Sequence, residues 1–249
     1  MLVVKAFESK AVISITFTLF ILYFVSMFIA PWFTTAFSWE KYQKVLYTWQ
    51  SLNVGVLAFT ASVIALSISR YNEEKKRERE FTAAKAFLPQ AISELCLYLN
   101  SCVPTYTAKM EVFRIRSENF NSSEPPIPKA PELPRNYASV FKESIKHASP
   151  EVGDYLVRIL RDLQVHHSRS LEQTAGSKDY LLACIHEIGV LRARLDSLFK
   201  FARNEKEFSS IKPIDYEQVI TAYNSLNLDL NSKFSTELIN YTRFKFNAG

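Results

Sequence analysis

The 249-residue chain carries 30 basic and 25 acidic side chains, is 48% hydrophobic and contains only 5 glycines. So few glycines exclude a fold built on glycine-rich phosphate loops or on many tight hairpins. The near-neutral mean hydropathy describes neither half of the chain, because the first 69 residues hold just six charged side chains: Lys5, Glu8, Lys10, Glu40, Lys41 and Lys44.

From Ala11 to Trp39 there are 29 consecutive uncharged residues, and from Val45 to Ser69 another 25. About 20 apolar residues at the α-helical rise cross a bilayer, so both runs suffice. The first is longer than the apolar region of a signal peptide and lacks a clean small-x-small cleavage site, which makes it a retained anchor. Pro31, Trp32 and Trp39 mark its exit, and Tyr42, Tyr47 and Trp49 mark re-entry at headgroup level. The expectation is a transmembrane hairpin over residues 1–69, with helices at about 11–36 and 45–69. Arg70, Lys75, Lys76, Arg77 and Arg79 crowd the far end of the second helix, Lys5 and Lys10 precede the first, and only Lys41 and Lys44 lie between. This bias predicts a multi-pass membrane protein with both termini cytoplasmic.

The second span is the more polar. Gln50, Asn53, Thr60 and Ser67 recur near one helical face, while Ala58 to Ser62 and Ala61 to Ala65 have the small-xxx-small spacing that lets backbones approach. Gln50, Asn53, Ala58, Thr60, Ser62 and Ser67 are therefore the candidate pore or helix-interface residues. One reading has this helix packed only against the first, with Gln50 and Asn53 wetted at the interface. The other has several copies bundled around a leak path, a homo-oligomer formed through the second helix. No charged residue lies in either span, which argues against a voltage sensor, a proton relay or an ion-coupled transporter.

Residues 70–116 should form a charged stalk and a first cytosolic helix. RYNEEKKRERE extends the second span, and Ala84, Leu88, Ala91, Leu95, Tyr98 and Cys102 form a buried stripe, with a kink expected at Pro89. Residues 117–136 hold five prolines and should form an extended surface loop. Residues 137–249 should complete a cytosolic helical bundle. Ser149 and Pro150 open one helix that Gly176 ends; Ser177 or Asp179 opens the next. In that next helix Leu181, Cys184, Ile188, Leu191, Leu195, Leu198 and Ala202 keep heptad spacing. The simplest partner for this stripe is the preceding helix folded back as an αα-hairpin; a coiled coil between subunits is the alternative. A short helix follows Pro213 with Tyr216, Val219, Ile220 and Tyr223 on one side, and a last helix runs near Ser232 to Phe246. The fold class is all-α.

Enzyme signatures are absent, and the expectation is a non-enzymatic protein with no catalytic residues, no metal, no cofactor and no small-molecule substrate. His166 and His167 are adjacent, hence on different helical faces, and Cys96 and Cys102 are also on different faces, so neither pair chelates locally. Cys96, Cys102 and Cys184 cannot all pair and should be reduced thiols in the cytosol. Beyond residue 69 there are 26 basic and 23 acidic residues, too even a balance for a strong nucleic-acid stripe.

Trp49-Gln50 opening a membrane helix, a charged stalk, then Ala84-x-Ala86-x-Leu88-Pro89-x-Ala91-x-Ser93-x-Leu95-x-x-Tyr98 followed by Cys102 resembles a large group of uncharacterised bacterial two-transmembrane proteins, over about a fifth of the chain. Proteins of this build are similar to the membrane effectors encoded beside retrons in anti-phage defence. The resemblance implies an effector that permeabilises the membrane when released or assembled, with a reverse transcriptase and nucleic-acid complex as partner. It carries no active-site residues over. The alternative is an inert membrane-tethered adaptor whose helical domain recruits a soluble partner.

Overall fold

The computed structural model describes residues 14, 18, 20–34, 36–118, 123–172, 176–228 and 233–247. Lys5 and Lys10, the start of the first span and Ser232 lie outside them. All regular structure among the described residues is helical. The chain divides into two compact units, Met1–Asn72 and Glu73–Gly249.

In the first unit, α1 (Phe20–Thr34) widens into a π-helical turn at Val25–Ile29, just ahead of Pro31. Proline brings no N–H, and a locally widened turn is one way a helix re-satisfies the groups around it. One of those groups, the Phe28 carbonyl, accepts from the Tyr42 hydroxyl at 3.2 Å. Ala36 and Phe37 are left-handed (φ 53° and 60°) and return their N–H groups to Phe33 and Trp32, a Schellman-type close. Where hydropathy alone suggests a loop, Trp39–Thr48 forms a separate helix, α2. It is pinned through Tyr42, whose ring meets Trp32 edge-on at 5.0 Å and stacks on Trp39 at 5.7 Å. The long helix α3 (Gln50–Lys85) therefore begins at Gln50 rather than near residue 45, after a turn at Trp49, and continues through the charged run. In that run Lys75 pairs with Glu78 at 2.7 Å, one turn on.

The second unit contains the rest of α3 and six further helices. These are α4 (Leu88–Glu118), α5 (Tyr137–His147), α6 (Pro150–Ser170), α7 (Lys178–Ala202), α8 (Tyr216–Ser225) and α9 (Lys233–Asn247). Pro89 does not kink a helix. The chain turns at Ala86–Phe87 and Pro89 sits in the first turn of α4, where its missing N–H costs nothing. Residues 123–134 are non-helical, as the prolines dictate. Ser149 is the N-cap residue of α6, but that helix ends at Ser170, well before Gly176. Gly176 instead takes a left-handed φ of 65° beside Ser177, whose hydroxyl accepts from the Tyr180 N–H and caps α7. Asp215 and Gln218 form a reciprocal capping box on α8.

Helix α7 is the centre of this unit. Every heptad position from Leu181 to Ala202 is buried, and so are Leu182, Ile185, Gly189, Ala193 and Phe201 on its other faces. A helix buried on several faces needs more than one partner. Accordingly α4, α6, α8 and α9 all pack on it, not the preceding helix alone. At Gly189 a Cβ would stand 2.2 Å from Cε1 of the fully buried Tyr223, so the absence of a side chain is what lets α8 approach. Helices α3 and α5 are tied by His147, whose two ring nitrogens lie 3.0 Å from Glu80 and 3.0 Å from Glu143.

Candidate functional site

Along the uncharged part of α3, residues 50–69, the half-buried positions are Asn53, Val56, Thr60 and Val63, at three- and four-residue steps. Asn53 Oδ1 accepts a 2.6 Å hydrogen bond from the Tyr23 hydroxyl of α1. Thr60 donates to the Val56 carbonyl at 2.8 Å, Ser62 to Ala58 at 2.9 Å and Ser67 to Val63 at 2.9 Å, each to the residue four back. Such back-bonding satisfies a hydroxyl inside its own helix. The six candidates thus divide. Asn53 and Thr60 share the half-buried face; Gln50 and Ser67 are exposed, and Ala58 and Ser62 lie exposed on the opposite side. Tyr23, the partner of Asn53, escaped the sequence reading because nothing in a run of apolar residues sets the register between two helices.

The second unit holds a polar layer inside its core. Tyr98, Cys102, Tyr106 and Lys109 follow each other along α4 at steps of four, four and three, so the lysine continues the apolar stripe. That spacing was the signal available in the sequence. Tyr98 bonds His167 Nδ1 of α6 at 2.9 Å, while the Tyr106 ring lies 5.8 Å from that of His166. Lys109 is only 1% exposed, with Nζ 5.3 Å from the Tyr106 ring centre. Burial holds its pKa below the ordinary lysine value and pushes His166 down to about 3, so this imidazole is neutral. The Tyr106 hydroxyl and His166 Nε2 are buried and have no hydrogen-bond partner among the described residues. Burial also raises the Cys96 thiol to about 11 and Cys102 to about 12, which keeps both as unreactive thiols at neutral pH. The Tyr98–His167 bond ties α4 to α6 across this layer. Among the described residues no group of three or more His, Cys, Asp or Glu could hold a metal ion.

The chain matches no protein-family model, no curated protein and no solved structure.

Proposed function

We propose that the chain is a non-enzymatic integral protein of the bacterial inner membrane, in which α1 and α3 form an anchoring hairpin and a cytosolic helical bundle recruits a soluble partner. One observation carries the membrane part: α3 is long and apolar enough to cross a bilayer, and its large side chains turn outward. Leu52, Val54, Leu57, Ile64 and Ile68 are all exposed, and Phe59 is 70% exposed. A band of that kind is at home in hydrocarbon and not in water. The adaptor role is supported by the polar groups of the span: Asn53 is bonded to Tyr23, and the three hydroxyls are satisfied within their own helix. Groups already satisfied make no demand for a water-filled path. On alkaline extraction the protein should stay with the membrane pellet, and a reporter fused after Gly249 should be active in the cytoplasm. Recovery as a detergent-free soluble protein overturns the anchor. With both spans exchanged for an unrelated hairpin, an adaptor keeps its biological activity.

A second reading, a membrane-permeabilising effector of anti-phage defence acting as a homo-oligomer, is favoured by a different observation. Gly55, Ala58, Ser62 and Ala65 form an exposed small-residue stripe, and a Cβ on Gly55 meets nothing within 4 Å. Such a stripe admits close approach by another helix. Dye uptake and loss of membrane potential on expression, abolished by Ala58→Leu with Ser62→Leu at unchanged abundance, would select this reading over the first.

A further inference from the structure

Between α6, α7, α9 and the segment before α8 lies a half-open cleft of about 330 Å³, at the lower end of the range for small-molecule sites. Its charged lining is of one sign. Arg158 comes from α6, Arg194 from α7 and Lys245 from α9, with no carboxylate among the lining residues. Arg158 and Lys245 are exposed and have no ion-pair partner among the described residues, while Arg194 is held by Asp162 behind the wall. The remaining wall is aromatic and apolar, from Tyr155, Val190, Pro213, Ile214 and Phe246.

The polar groups here are held in place from behind. The Tyr155 hydroxyl donates to the Arg194 carbonyl at 3.1 Å. His186 Nδ1 lies 3.2 Å from the Thr242 hydroxyl and 3.4 Å from that of Tyr223, and those two hydroxyls are 2.7 Å apart. When Nδ1 accepts from this pair, Nε2 carries the ring proton and is a donor. Like charges brought together by three helices repel one another. Burial is the main cause lowering the pKa of both Arg194 and His186, and the neighbouring Arg158 and Lys245 lower them further. Asp162 offsets that repulsion at Arg194 alone, whereas an anion held between the cations would offset it at all three.

We propose that this cleft is a binding site for a phosphate ester of nucleotide size, with the phosphate between Arg158, Arg194 and Lys245 and the organic part against Tyr155 and Phe246. Arginine and lysine supply charge-assisted donors to phosphate oxygens, and the volume admits a small molecule but not a folded protein segment. The site is independent of whether the spans anchor or permeabilise.

The test uses the full chain in detergent micelles, with AMP, glycerol 3-phosphate and inorganic phosphate as calorimetric probes. At low salt AMP should bind saturably, and Arg158→Glu or Lys245→Glu should each weaken it tenfold or more. Lys206→Glu, at a cleft elsewhere on the domain, should leave affinity within about twofold. All three substituted residues are exposed, so the variants should fold. Binding of glycerol 3-phosphate in preference to AMP, with the same variant pattern, supports the phosphate-ester site and identifies a lipid-type headgroup as its source. Absence of binding up to millimolar AMP and glycerol 3-phosphate, affinity for inorganic phosphate equal to that for the esters, or indifference to both charge reversals overturns the proposal.

Discussion

The two units solve opposite problems with the same helix. Among the described residues of Met1–Asn72 many large apolar side chains point outward, and Asn53, Thr60, Ser62 and Ser67 are hydrogen-bonded within the unit; among those of Glu73–Gly249 most large apolar side chains point inward. Leu57 and Leu195 illustrate the contrast, the first 64% exposed and the second fully buried, each on a long helix. Residue type alone therefore does not tell inside from outside. What distinguishes the units is the absence of charge over 25 residues in one and its regular recurrence in the other.

The largest expected break in this comparison comes from charge on the outward face. Leu57→Lys together with Phe59→Lys places two ammonium groups near the middle of the span, at about 2.5–3.5 kcal/mol each, and should abolish retention in the membrane pellet. Leu97→Lys, at a leucine 66% exposed on α4, should change the stability of the second unit by no more than about 0.5 kcal/mol.

Acid comes next, and it should act on one unit only, because His147, His166, His167 and His186 all lie in the second. Burial lowers the folded-state pKa of His166 to about 3 and of His186 to about 4, from 6.5. The unfolded chain takes up a proton below about pH 6.5 while the folded one resists, so stability is complete above that pH and falls as pH drops toward 4. At about 1.4 kcal/mol per pH unit for a buried group, His166 accounts for a few kcal/mol across that window. Thermal melts of the full chain between pH 7 and 4.5 should show it, and His166→Leu should flatten the slope; an unchanged slope in that variant counts against a buried neutral imidazole.

Glycine sharpens the comparison further. Gly189→Ala forces a Cβ into Tyr223 and should cost about 1–3 kcal/mol in denaturant melts. Gly55→Ala meets open space and should be neutral or stabilising by up to about 1 kcal/mol. The smallest effect is expected at Tyr23→Phe. Loss of its bond to Asn53 should cost about 0.6 kcal/mol, read by unfolding in mixed detergent micelles.

Several features were legible in the residue order. The all-helical content of the described residues, the non-helical proline segment, the helix start at Ser149-Pro150, Ser177 as a cap and the buried heptad of α7 follow from spacing and from turn chemistry, both local properties. Helix α2 was not legible, since a ten-residue helix between two apolar runs is defined by the packing of Tyr42 on Trp32 and Trp39. The kink expected at Pro89 became a helix start, because proline's missing donor is harmless in a first turn and the choice between the two depends on what lies before it. Periodicity grouped Gln50, Asn53, Thr60 and Ser67 on one face, of which Asn53 and Thr60 are half-buried and Gln50 and Ser67 exposed, and it could not supply Tyr23. The cleft of Arg158, Arg194 and Lys245 draws on residues up to 87 positions apart in three helices, so no window of sequence contains it.

Residue order by itself determined which stretches are helical, where charge is missing and which face of each helix seeks cover, because these depend on neighbours within a turn or two. Only the tertiary structure decided that α7 takes four partners, that Tyr223 seats against Gly189, that Asn53 answers to Tyr23 and that three cations converge on one cleft. Those outcomes depend on which helices meet and in what register, and that is settled by the packing of side chains far apart along the chain.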